Sequence, residues 1–171
     1  FTDITKWSKS INDSNRIVPL MKRAFHSLKN GRPSPVLIEM HRDHMTQEVS
    51  NFKQYNSPHQ SKFFPTDYFI DSSVKLLVES ENPIIWSGQG VLYSSATDEL
   101  KELSSLLSIP VITTMPGKSS FDERNPLSLG SANRTAPKTV WKYLGISDTV
   151  FAIGSSSVSY THLRAHETGY N

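Results

Sequence analysis

The 171-residue chain is 36% hydrophobic and 20% charged, with a net charge of +2, the profile of an ordinary globular protein. No strongly basic stripe points to nucleic acid, and no apolar run approaches the roughly 20 residues that cross a bilayer. The chain has no cysteine, which excludes disulfides, thiolate metal sites and a cysteine nucleophile and suits a reducing cytoplasm.

The chain opens on Phe1 with neither Met nor a signal-peptide pattern, as a piece of a longer protein would. Ile17, Leu20, Met21, Ala24, Phe25 and Leu28 recur at helical spacing and predict one apolar helix face. Asn30-Gly31 should end that helix, since Gly accepts the left-handed turn at a helix C-terminus. Arg32-Pro33-Ser34-Pro35 then breaks the chain, and Val36-Leu37-Ile38-Glu39-Met40 has the length and composition of a strand. Residues 41–66 show no period and many polar side chains. A stretch that long inside one domain is unusual, so it predicts a connection between two domains, with Phe63, Phe64 and Pro65 docking its end.

Beyond it the alternation is regular. Residues 67–80 predict a helix capped by Thr66 or Asp67, with Val74, Leu77 and Val78 facing inward. Pro83-Ile84-Ile85-Trp86 reads as a strand closed by Ser87-Gly88-Gln89-Gly90. Residues 95–108 predict a helix burying Ala96, Leu100, Leu103 and Leu107, opened by a capping box of Ser95 and Asp98. Residues 109–113 predict a strand, 135–144 a helix, and Thr149-Val150-Phe151-Ala152-Ile153 a strand stopped by Gly154. Strands near 84, 111 and 151 with helices between them require a parallel sheet with right-handed crossovers.

Candidate sites are few. Gly117-Lys118-Ser119 suggests a phosphate loop, but that motif needs a glycine five residues before Gly117, where Ile112 stands. Pro126 and its neighbours also argue against the helix that should follow. Ser87-Gly88-Gln89-Gly90 is better placed, because ligands of open α/β sheets bind at the carboxyl ends of strands. The third glycine of a dinucleotide fingerprint is missing, so a tight strand-to-helix turn explains the pattern equally well. His41 and His44 flank Asp43 in a Pro-bounded loop, a solvated linker rather than a metal site. His162 and His166 are spaced for a helix face, and Asp122, Glu123 and Arg124 form a mixed-charge, solvated cluster. No nucleophile, base and acid fall into a recognisable pattern.

Three segments together resemble thiamine-diphosphate-dependent enzymes of the acetolactate synthase-like group. The first is Ile4-Thr5-Lys6-Trp7, the helix after it, and Gly31 through Met40, similar to the end of that family's pyrimidine-binding domain. Asn82 to Gly90 resembles the opening strand and G-x-G of its central domain. The third segment runs from Ile109-Pro110-Val111-Ile112-Thr113-Thr114 through Gly117-Lys118 to Asn125-Pro126-Leu127-Ser128-Leu129-Gly130. Ser34 stands where the family commonly has Gly, His41 where Pro is common, and Asn125 where His is usual.

The resemblance implies an α/β fold: a Rossmann-like (DHS-like), three-layer parallel-sheet central domain, preceded by the last helix and strand of another α/β domain. It divides the chain into residues 1–45, the end of the pyrimidine-binding domain; 46–66, a linker; and 67–157, a truncated central domain. Residues 158–171 depart abruptly from the pattern and resemble translated adapter DNA, a non-native tail. Thiamine diphosphate and Mg²⁺ are the implied cofactors, and carboligation or decarboxylation of a small 2-oxo acid is the implied reaction. The implied assembly is a cytoplasmic homodimer or homotetramer, without nucleic acid or membrane.

In the family, the glutamate that protonates the aminopyrimidine lies upstream of Phe1, and the G-D-G…N segment that binds Mg²⁺ lies downstream of Asn171. Neither a catalytic residue nor a metal ligand is therefore expected here, Glu39 and Asp43 included, and the chain alone should be an inactive scaffold. In flavin-containing members FAD lies along regions that Gly88, Gln89, Gly90, Met115 and Gly117 match. A third, Arg-containing region should follow Gly154, where Ser155-Ser156-Ser157 does not supply it. The rival expectation is a non-catalytic module that binds FAD, ADP or NAD through residues 83–157.

Overall fold

The computed structural model describes residues 1–50, 54–59, 63–133 and 135–156. The chain forms two compact units, residues 1–64 and residues 65–171, and the proposed tail beyond 157 lies outside the described residues.

The first unit is a single β-α-β crossover. Strand β1 (Trp7–Ile11) leads through a short 3-10 turn into helix α1 (Ile17–Lys29), and the chain returns as β2 (Val36–Met40). The two strands pair in parallel, with Trp7 opposite Val36 and Ile11 opposite Met40. Leu20 and Ala24 on the predicted apolar face of α1 are buried, as is Ile11. Gly31 adopts φ +68°, and the Lys6 ammonium donates to the carbonyl oxygens of Asn30 (2.6 Å) and Arg32 (3.2 Å). A lysine thus answers the carbonyls that a helix end leaves without partners. A one-turn helix, α2 (Arg42–Met45), follows.

The second unit runs α3 (Asp67–Glu79), β3 (Pro83–Ser87), α4 (Gln89–Tyr93), α5 (Thr97–Leu107), β4 (Val111–Thr114), β5 (Ser128–Ala132), α6 (Lys138–Ile146) and β6 (Thr149–Ile153). Its sheet is entirely parallel in the order β5-β4-β3-β6. Alternate residues of β3 point to opposite faces, as the strand period requires. Ile85 joins Leu77 of α3 and Leu100 of α5 in one core, with Val91, Ile109, Val111 and Phe121. Ile84 and Trp86 join Ile112, Ala132 and Val140 of α6 in the other. Helices on both faces explain why β3 and β4 read as unbroken apolar runs.

Several sequence expectations need correction. β1 and β5 were not foreseen. β5 is the sequence Ser-Leu-Gly-Ser-Ala, poor in strand-forming side chains. It forms because β4 offers it a backbone ladder, with a register irregularity between Val111 and Ile112 and Gly130 at φ +90°. Helix α5 begins two residues late: Ser95 sits at φ +54°, Ala96 occupies the N-cap, and no side-chain cap forms. Helix α6 likewise begins at Lys138, because the Asn133 side-chain oxygen accepts from the Thr135 amide and hydroxyl and builds a turn instead. On α3 only Leu77 is buried; Val74 and Val78, about 60° and 100° around the helix from it, are exposed. Thr66 is the N-cap of α3 but makes no side-chain capping bond. Phe63 and Phe64, expected to dock, are exposed at 81% and 82%.

Candidate functional site

The strand order sets where a ligand would be sought. β4 lies on one side of β3 and β6 on the other, with α5 and α6 on opposite faces. The switch point is therefore between β3 and β6, and their carboxyl ends would flank the ligand crevice of a doubly wound sheet. Ser87 and Ile153 are the terminal residues there. Gly88, Gln89 and Gly90 follow the first, and Gly154 follows the second. The structure therefore brings the predicted G-x-G turn to this edge, where Gly117 of the loop after β4 also packs, whereas Met115 lies beside Asn133 after β5.

What fills that edge is protein. The Gly88 amide donates to the Ile153 carbonyl at 2.8 Å, and the Gly90 amide donates to the Gly154 carbonyl at 2.8 Å. Gly154 turns at φ +60°, a conformation that favours glycine, which lets it lie against the turn. A Cβ on Gly88 would stand 2.3 Å from the Gly154 oxygen, and one on Gly90 would stand 2.6 Å from the Gly154 Cα. A Cβ on Gly117 would meet the Ser87 carbonyl oxygen at 2.7 Å and the Gly88 carbonyl carbon at 2.8 Å. The glycines are needed because three backbone segments touch one another.

The Gly-Lys-Ser tripeptide is equally committed. The Gly117 amide donates to the Thr114 hydroxyl at 3.0 Å, and the Lys118 amide to the Met115 carbonyl at 3.2 Å. The Ser120 amide donates to the Gly117 carbonyl at 2.9 Å. This is a tight turn with inward bonds, not a ring of amides converging on an anion. Beyond it the loop lines an open cleft of about 580 Å³ with Asp98 and Lys101 of α5. Charges there balance: Lys118 pairs with Glu123 at 3.5 Å, and Arg124 with Asp122 at 3.1 Å. Hydrogen bonds from the Arg124 guanidinium hold the Asp122 carboxyl below its usual range.

Two hydroxyl pairs brace the same end of the sheet. Ser87 of β3 and Ser120 share a hydrogen bond at 2.6 Å, and both are fully buried. Thr113 of β4 and Ser131 of β5 share one at 2.9 Å. The Asn133 side-chain amide (Nδ2) donates to the Met115 sulfur at 3.1 Å, fixing the exposed Met115 against the turn after β5. Sequence patterning gave no sign of these pairs, since lone serines and threonines at strand ends are usually solvated.

Carboxylates and histidines elsewhere do not assemble a site. Glu39 accepts from the Ser10 hydroxyl at 2.8 Å across the β1–β2 pair, and the His44 ring bonds the Gln47 side chain at 3.1 Å. His41 is the N-cap of the short α2, and Asp43 lies in its first turn. Among the described residues, no three of His, Cys, Asp and Glu stand close enough to hold a metal ion. The expected pair His162 and His166 lies outside the described residues. No helix of the described residues is long and apolar enough to cross a membrane.

Comparison with known proteins places this geometry. Residues 70–169 match the family model for the thiamine pyrophosphate enzyme central domain. The chain belongs to the thiamine pyrophosphate enzyme family. The acetolactate synthase large subunit of Cyanidium caldarium is 38% identical over 135 residues, covering 74% of this chain and 23% of the relative. That of Corynebacterium glutamicum is 28% identical over 162 residues, covering 89% and 25%. A glyoxylate carboligase of Escherichia coli O157:H7 is 28% identical over 154 residues, covering 89% and 26%. The chain thus spans about a quarter of the length of these curated relatives. The fold is shared with a solved Mycobacterium smegmatis protein assigned to the thiamin diphosphate-dependent enzymes, at a TM-score of 0.72 and 19% identity over 88% of this chain and 29% of that one.

The family's cofactor can be tested against these residues. A diphosphate with a divalent cation needs oxygen donors gathered at one place. Among the described residues no three of His, Cys, Asp and Glu gather in that way, and the Gly88 and Gly90 amides are spent on the Ile153 and Gly154 carbonyls. These residues do not fit the thiamine diphosphate group.

Proposed function

We propose that this chain is a segment of a thiamine-diphosphate- and Mg²⁺-dependent enzyme that joins or decarboxylates small 2-oxo acids. Its likeness to acetolactate synthase large subunits along most of its length carries that reading, and the glyoxylate carboligase match supports the carboligase direction. Residues 1–45 act as the end of a pyrimidine-binding domain, 46–66 as a linker and 67–157 as the central domain. The intact enzyme is a cytoplasmic homodimer or homotetramer. Cofactor and substrate are held by parts of the protein other than these residues.

Within that enzyme, the central-domain residues serve as scaffold. Their polar groups at the strand ends bond one another, and their glycines permit backbone packing. The test is activity of the longest open reading frame that contains these residues, supplied with thiamine diphosphate and Mg²⁺. Carbon dioxide release and carbon–carbon bond formation are measured on a panel including pyruvate and glyoxylate. Turnover that requires both cofactors supports the proposal; turnover without them, or none on any 2-oxo acid, overturns it. The 171-residue chain by itself is expected to show no turnover.

A further inference from the structure

The fold has a default ligand position, and the same position in this chain is already taken. We infer that the partner of the G-x-G turn is the chain's own peptide after β6, so that no nucleotide diphosphate is cradled between β3 and β6. The inference deepens the scaffold reading above and rests on it.

A diphosphate at a switch point is held by amides whose N–H bonds are free to turn toward it. The two glycine amides of the turn are not free. Gly88 extends the β3–β6 ladder by one bond, to Ile153, and Gly90 adds another, to Gly154, each at 2.8 Å. Space is closed as well as bonding. Gly154 lies so near that even a methyl group on Gly88 or Gly90 would overlap its backbone. From the other side Gly117 packs onto Ser87 and Gly88, and the buried Ser87–Ser120 hydroxyl pair fixes the loop that carries it. The helix after the turn, α4, has five residues, too few for a helix dipole to draw an anion in.

A phosphate therefore cannot reach the two amides unless the strand end at Gly154 is first withdrawn. The glycines that make the turn resemble a nucleotide site are the same ones that let Gly154 close it. Nucleotide entry and the observed packing exclude each other at these atoms.

The experiment uses the 171-residue chain labelled with 15N-glycine, whose eight glycines give a simple amide spectrum. Hydrogen exchange is followed first, then ADP and FAD are titrated separately. The Gly88 and Gly90 amides are expected to exchange at least about a hundredfold more slowly than in an unstructured chain, and neither should shift with nucleotide. Fast exchange at either amide, or a saturable shift of either with ADP or FAD, overturns the inference. Saturable binding that leaves both amides protected and unshifted would uphold the closed crevice while defeating the scaffold reading, because the nucleotide would then sit elsewhere.

Discussion

The hydroxyls of Ser87 and Ser120 meet at 2.6 Å with neither side chain exposed, joining the end of β3 to the loop that follows β4. Each is the other's partner inside the protein, so removing one strands the other without water. Ser120→Ala is expected to cost about 1–3 kcal/mol, the range for leaving a buried polar group unsatisfied. Removing both hydroxyls together should cost less than the sum of the two single changes. Urea denaturation of the two single variants and the double variant checks this, and strict additivity would show that the pair is not coupled.

Gly154 gives a sharper prediction. At φ +60° an L side chain is strained by about 1–2 kcal/mol, and a Cβ there would stand 2.6 Å from the Val91 amide nitrogen and 2.8 Å from the Gly90 Cα. Overpacking of that kind adds about 1–3 kcal/mol. Gly154→Ala should therefore lower stability by more than about 2 kcal/mol in total. Gly145→Ala is a fair control, because nothing lies within 4 Å of the position its Cβ would take. It sits within α6, where Ala is the better helix former by about 1 kcal/mol. Thermal melts should move in opposite directions for the two variants.

Neighbouring leucines on α3 separate burial from composition. Leu77 is 6% exposed and packs in the core with Ile85 and Leu100, whereas Leu76 is 64% exposed. Leu77→Ala is expected to cost about 2–5 kcal/mol, the range for a buried leucine. Leu76→Ala should stay within about 0.5 kcal/mol. Denaturation midpoints in this chain measure both, and equal losses would mean that α3 is turned otherwise than described.

Acid sensitivity should reside partly in Asp148. Its carboxylate accepts from the Ser80 hydroxyl, from the Glu81 amide at 2.7 Å and from the Asn82 amide at 3.1 Å, tying the turn before β3 to the turn before β6. The Ser80 hydrogen bond is the largest cause that holds its pKa below the usual carboxylate range. A depressed carboxylate contributes stability above its unfolded pKa, and that contribution is lost as pH falls through the folded value. The stability difference between the parent chain and Asp148→Asn should thus be constant from pH 7 to 5 and shrink below about pH 4. A difference that persists unchanged at pH 3 would remove Asp148 from this role.

How much of this was visible in the sequence depended on where the determining contact lies. β2 and β6 were legible to the residue, because short runs rich in β-branched and large apolar side chains, with Pro35 before the one and Gly154 after the other, leave little alternative. α1 was legible for the same local reason, its apolar spacing being complete within itself. β5 was not, because its sequence has small residues and a glycine, and its strand state is conferred by β4 across the sheet. Ser95 and Asp98 had the spacing of a capping box, yet Ser95 is used for a left-handed turn between α4 and α5. The G-x-G spacing placed its turn at the carboxyl end of β3, where the structure has it. It could not say what accepts the two amides, since Ile153 and Gly154 lie more than 60 residues along the chain.

The contact of Gly154 with Gly88 and Gly90 also bears on how portable this motif is. A turn lifted from residues 87–90 and grafted onto another parallel sheet would carry two amides that here donate to the carbonyls at the end of β6. Without the strand end that fits it, the graft would present two N–H groups deprived of their carbonyl partners. The transferable unit is therefore the turn together with the end of β6, two pieces far apart in sequence that work as one part.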